Sequence, residues 1–229
     1  MTNNNVNELP RPRAGDRVYT LARAGLAAVP IVGGSATELF SLVLAPPLER
    51  RRDEWLRELH ERLMKLEAHA AGFKLEDLGR NEVFVSAALQ ATQVALRSHE
   101  REKLDALKNA LTNIAVGAAP SDDWQQMFLR FIDEFTASHI RVLAFLWNPK
   151  VLLQRSGRTG GEFTTPQGAL GQMYSNFEAE RDFYQQILTD LSAKGLVNVT
   201  MLETRMYDVG MVTPTGKAFL DFIEAPRGL

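Results

Sequence analysis

Four histidines, His60, His69, His99 and His139, could bind a metal or carry a proton in this 229-residue chain. A structural or catalytic zinc needs at least three convergent ligands. None of the four stands at the i, i+4 spacing from another, and His60 and His99 sit among charges on helix faces. They read as solvated or capping residues. Cysteine is absent, which excludes thiolate metal sites, cysteine nucleophiles and disulfides. Gly33-Gly34-Ser35 opens a helix and could cradle a phosphate through its amides. It has neither a following lysine nor a preceding strand, so a packing turn is the better reading. Carboxylates are numerous, but all have arginine or lysine nearby, the pattern of a salt-laced helical surface. No dinucleotide fingerprint, P-loop, zinc-protease helix or nucleophile elbow occurs. The chain is therefore expected to hold no catalytic residue, metal or cofactor.

Two other groups of residues could do binding chemistry. Lys150, Arg155 and Arg158 form a small basic cluster, and Arg205 adds a charge further on. Such residues could contact phosphates of a nucleic acid. The net charge is only −2, and the helix expected over 177–194 carries Glu178, Glu180, Asp182 and Asp190 against Arg181 and Lys194, a balance that repels a duplex. The second group is apolar then basic: Leu39, Phe40 and Leu42, followed by Arg50, Arg51 and Arg52. Fourteen uncharged residues separate Arg23 from Glu38, and ten separate Glu38 from Glu49. A spanning helix needs about 20 apolar residues. The segment 24–48 is thus expected to be an apolar hairpin buried in a helical bundle, with contact to lipid or to a partner as the alternative.

The elements that must carry these residues read mostly as helix. The polar, proline-bearing residues 1–15 read as a mobile tail. Asp16 could cap a helix to about Val29, broken at Pro30, and Ser35 with Glu38 has the spacing of a capping box. That helix is expected to end at Pro46-Pro47. The next, from Leu48, is strongly amphipathic, with Leu48, Trp55, Leu56, Leu59, Leu63 and Leu66 on one stripe and alternating charges elsewhere. Alanine-rich 82–98 and 100–116 follow as a helical pair. Gly117 to Ser121 marks a domain boundary, giving a helical domain over 16–119 and a second over 120–229. In the second, Phe177, Phe183 and Tyr184 read as core aromatics.

Residues 196–203, "LVNVTMLE", read as a strand, followed by a turn and a second strand before a last helix. With Leu188, Leu191, Gly195 and the run Val212–Leu220, this ending resembles the winged-helix fold. Gly195 suits a left-handed helix exit, Thr213 a cap and Pro214 a first helical turn. The fold class expected is mainly α: an N-terminal helical bundle followed by a winged-helix-like α+β module. Across the whole chain, "IVGGSATELF", "APPLERRRDEW" and "FVSAALQATQVALR" resemble a bacterial protein family of unknown function.

These readings predict a cytoplasmic, non-enzymatic protein that works through protein–protein recognition or homo-oligomerisation. Two rivals stand beside it. One is a DNA-binding transcriptional regulator using Lys150, Arg155, Arg158 and Arg205. The other is a membrane-acting stress or phage-defence effector using the segment around Leu39, Phe40, Leu42 and the arginines after it.

Overall fold

The computed structural model describes residues 35–70, 72–158, 164–205 and 210–226, with side chains from residue 47 onward. The tail 1–15, the helix expected after Asp16, the Pro30 break and the Gly33-Gly34 turn lie outside the described residues. So do 159–163 of the Gly/Thr-rich loop and 206–209 of the expected hairpin turn.

The first helix, α1 (Ser35–His69), runs without interruption through Pro46 and Pro47. The expected stop at that pair is therefore corrected. A proline inside a helix removes one N–H and crowds the carbonyl four residues earlier. Two in a row leave the carbonyls of Leu42 and Val43 without their helical donors, a local cost that does not terminate the element. Beyond the prolines Trp55, Leu56, Leu59, Leu63 and Leu66 of the expected stripe are buried, whereas Leu48, expected on the same stripe, is 44% exposed. The Trp55 indole donates to Thr92 Oγ1 at 3.0 Å, fixing α1 against the second long helix.

A one-turn helix, α2 (Leu75–Leu78), precedes α3 (Glu82–Arg97), which Asn81 caps by accepting from Phe84 N at 3.1 Å. A short corner at Ser98–Glu100 reverses the chain into α4 (Arg101–Ala115). Ala87 and Ala91 of α3 and Ala106 and Ala110 of α4 are all buried. Small side chains let the two backbones approach closely, and Leu107 and Leu111 fill what remains.

Next come α5 (Asp122–Glu134), α6 (Ala137–Trp147), α7 (Pro149–Arg155), α8 (Pro166–Met173), α9 (Arg181–Ala193) and α10 (Pro214–Ile223). Helix α5 packs on α3 and α4, and α10 packs on α4 and α6. Their seam is aromatic: Phe128 meets Phe219 and Phe222 at ring separations of 5.4 and 5.6 Å. One hydrophobic cluster extends from Trp55 to Ile223.

The α+β expectation for the chain's end is overturned. Among the described residues there is no strand, and the two candidate strands meet only at an isolated antiparallel bridge, Val197 with Val212. Two backbone bonds flank it, Asn198 N to Met211 O at 2.9 Å and Thr213 N to Leu196 O at 3.0 Å. The reason lies in what 200–202 bonds to instead. Gln185 of α9 donates to Thr200 O at 2.8 Å and accepts from Leu202 N at 3.1 Å, and Gln167 N donates to Leu202 O at 2.9 Å. Polar groups that would form a ladder are taken by helices α8 and α9. The flanking details survive: Gly195 has φ of 70°, and Thr213 accepts from Gly216 N at 2.9 Å with Pro214 in the first turn. Phe177 and Tyr184 are core, whereas Phe183 is 44% exposed, contrary to expectation.

Candidate functional site

The α3–α4 corner is flanked by two clefts. On one side, a cleft of about 270 Å³ lies between α1, α3 and α4, lined by Arg51, Trp55, Glu58, His99, Arg101 and Lys108 among others. On the other, a cleft of about 260 Å³ is lined by Val94, Arg97, Ser98, Glu100, Lys103 and Asp133, with His99 again at its wall. Ser98 and His99 belong to both. The corner exists because α3 and α4 are long, amphipathic and joined by only three residues, so polar side chains at their ends are forced together beside the core.

Two lysines of α4 are buried here, Lys108 at 4% exposure and Lys103 at 9%. Their environments differ. Lys108 Nζ lies 2.5 Å from Glu58 Oε2 and 3.1 Å from Asp105 Oδ1. The hydrogen bond from Lys108 holds the Glu58 carboxyl below its usual range, against the opposing effect of burial. Arg62 of α1 adds a bond to Asp105 at 2.7 Å and another to Asn109 Oδ1. Lys103 Nζ instead donates to a peptide oxygen, that of Asp133, at 3.0 Å. Among the described residues no carboxylate lies within ion-pair distance of it. The Asp133 carboxylate is held by Arg97, whose Nη2 sits 3.2 and 3.1 Å from its two oxygens. Burial pushes the Lys103 ammonium below the usual lysine range and Arg97 acts the same way, with Glu100 and Asp133 opposing.

A polar strip continues from this corner to the chain's end. Asn109 Nδ2 donates to Ile223 O at 2.8 Å, and Asn113 Nδ2 to Phe222 O and Glu224 O, both at 2.9 Å. Helix α4 thereby caps the last carbonyls of α10, groups that no helical N–H can reach.

His139 is buried and ties α6 to α9. Thr136 N donates to its Nδ1 at 3.3 Å, Thr136 Oγ1 lies 2.9 Å from the same atom, and Nε2 faces Asp190 Oδ2 at 3.2 Å. The donation to Nδ1 assigns the ring proton to Nε2. Both nitrogens are engaged in holding elements together. His60, His69 and His99 are exposed, and among the described residues no cluster could hold a metal ion.

The residues singled out from the sequence fall in separate places. Leu39, Phe40 and Leu42 lie in the first third of α1, where side chains are not described. Arg50 and Arg51 are exposed, Arg51 lining the larger cleft, and Arg52 pairs with Asp53 at 3.2 Å. Lys150 and Arg155 are exposed along α7. Arg158 folds back to donate to the carbonyls of Gln172 and Met173 at the end of α8. Arg205 is exposed beside the expected turn. The corner itself, with Glu58, Lys103, Lys108, Asn109 and Asn113, was not anticipated. A signal existed: Lys103 shares a helical face with Leu107, Ala110 and Ile114, and Lys108 shares one with Leu104 and Leu111.

The chain matches no family model, no curated protein and no solved structure.

Proposed function

We propose that this chain is a cytoplasmic bacterial protein that acts by contact with protein rather than by turnover. Its first recognition surface is the N-terminal third of α1, and the partner there is a second copy of the chain. The observation that carries this reading is the length of α1. Thirty-five helical residues span about 52 Å, and among the side chains described, from residue 47 onward, the first that is buried is Trp55. The turns before it hold the uncharged run Leu39–Leu48, with Leu48 exposed at its end and Arg50 and Arg51 beyond. An apolar helix of this length is marginal in water unless a packed face covers it.

The charges of α9 favour protein contact over a duplex. Arg181 pairs with Glu203, and Lys194 pairs with Glu134 and lies over the Phe131 ring. The cations that a groove-reading helix would spend on phosphates are already engaged. Lack of cysteine fits a reducing compartment, and among the described residues no helix is long and apolar enough to cross a membrane.

The test is the solution mass of the full chain by light scattering over a range of concentrations. A dimer or larger species is expected, and Leu42→Asp should return it to monomer with unchanged helical circular dichroism. A wild-type monomer at every concentration overturns the reading.

A further inference from the structure

Two buried lysines sit two helical turns or less apart on α4, and the protein has treated them oppositely. Lys108 is locked by two carboxylates. Lys103 is left with one peptide oxygen and opens on the cleft of about 260 Å³. From this contrast we infer that Lys103 is a reactive amine, and that the cleft in front of it takes a small aldehyde or ketone as an imine on Lys103 Nζ.

The argument is geometric first. An amine becomes a nucleophile when it is desolvated or set beside another cation. Lys103 meets the first condition, since it is buried; Arg97 lines the same cleft, but its charge is engaged by Asp133. The charged groups facing it from the packed elements are Arg97 from α3, Glu100 and His99 from the corner, and Asp133 from α5. Their balance leaves burial as the largest influence, and burial favours the neutral amine. The cleft is smaller than those that hold drug-sized molecules, which start at about 300 Å³, so a metabolite of few heavy atoms fits it.

The reaction balances without any further reagent. The neutral Nζ lone pair attacks the carbonyl carbon, and a C–N bond forms as the C=O π pair moves to oxygen. The carbinolamine oxygen takes up protons, including those released by nitrogen, and leaves as water; the C=N bond replaces it. His99, exposed and without a hydrogen-bond partner among the described residues, stands at the cleft wall to exchange those protons with solvent.

Glyoxylate with cyanoborohydride is the probe, since hydride addition turns a transient imine into a stable secondary amine that peptide mass spectrometry can map. On the full native chain at about pH 7, Lys103 should be labelled about five-fold or more faster than the exposed Lys74 and Lys150. Unfolding in urea should erase that preference, and Lys103→Arg should remove the fast site while leaving the slow ones unchanged. A lysine kept only to cap Asp133 would be shielded by its burial. Labelling of Lys103 at the rate of Lys74 and Lys150, or below it, overturns the inference.

Discussion

Glu58 shows how one carboxylate ties α1 to α4. Its partner Lys108 is almost fully buried, so the ammonium needs compensation, while Glu58 itself is partly open to solvent. A carboxyl with a depressed folded pKa adds stability that is complete above its unfolded value and lost as the pH falls through its folded value. Glu58→Gln should therefore cost about 1 kcal/mol near pH 7, a figure reduced for the exposure of the carboxylate. The difference from wild type should be smaller at an acidic pH below the folded value of Glu58, which the Lys108 hydrogen bond holds under the usual glutamate range, because there the wild-type carboxyl is protonated too. Urea melts of both proteins at the two pH values measure it, and a pH-independent gap would mean that shape, not charge, sets the loss. Lys103 and Lys108 also show what single residues conceal in a sequence. Charge in an amphipathic repeat reads as solvent face, so two lysines on faces shared with leucines were passed over. Only the fold reveals that a carboxylate of α1 reaches one and a carbonyl of α5 the other.

Helices were legible where an apolar stripe had a partner to face. The stripe from Trp55 to Leu66, the alanine-rich pair and the cap at Thr213 all follow from spacing and local chemistry. Two elements defeated that logic for physical reasons. The Pro46-Pro47 pair has a strong local preference to end a helix, yet α1 continues through it, with its remaining turns intact on both sides. The expected wing has β-branched residues in the right order, but Gln167 and Gln185, distant in sequence, take its backbone groups. The junction between α9 and α10 is correspondingly intolerant. A Cβ on Gly216 would collide with the carbonyl oxygen of Leu196 and come within 2.7 Å of Val212 Cγ1. Backbone stands in the way, so neighbouring rotamers give no relief. Gly216→Ala should destabilise by about 3 kcal/mol, read as a lowered urea midpoint, whereas Ala218→Gly in the same helix, at an exposed position, should cost only about 1 kcal/mol.

The core connects parts of the chain that the loop 117–121 separates in sequence. Phe128 from α5 meets Phe219 and Phe222 from α10, and α10 rests on α4, which in turn carries the α1 contacts through Lys108 and Arg62. Asn113 is the polar fastening of this arrangement: its amide gives protons to the last carbonyls of α10 from a buried position. Asn113→Asp keeps the shape, removes the donor and sets a negative charge against the negative end of a helix. The expected loss is about 2–4 kcal/mol, the range for a buried polar group left facing unsatisfied or repelling partners. Because the core is shared, the loss should spread. Tryptophan fluorescence reports Trp55, Trp124 and Trp147, which lie on α1, α5 and α6, and far-ultraviolet circular dichroism reports the helices together. Both signals should shift to the same lower urea midpoint in Asn113→Asp and remain superimposable, as one cooperative unit requires. A helical signal that splits into two transitions, with only one of them moved by the substitution, would show instead that the halves on either side of residue 120 unfold on their own.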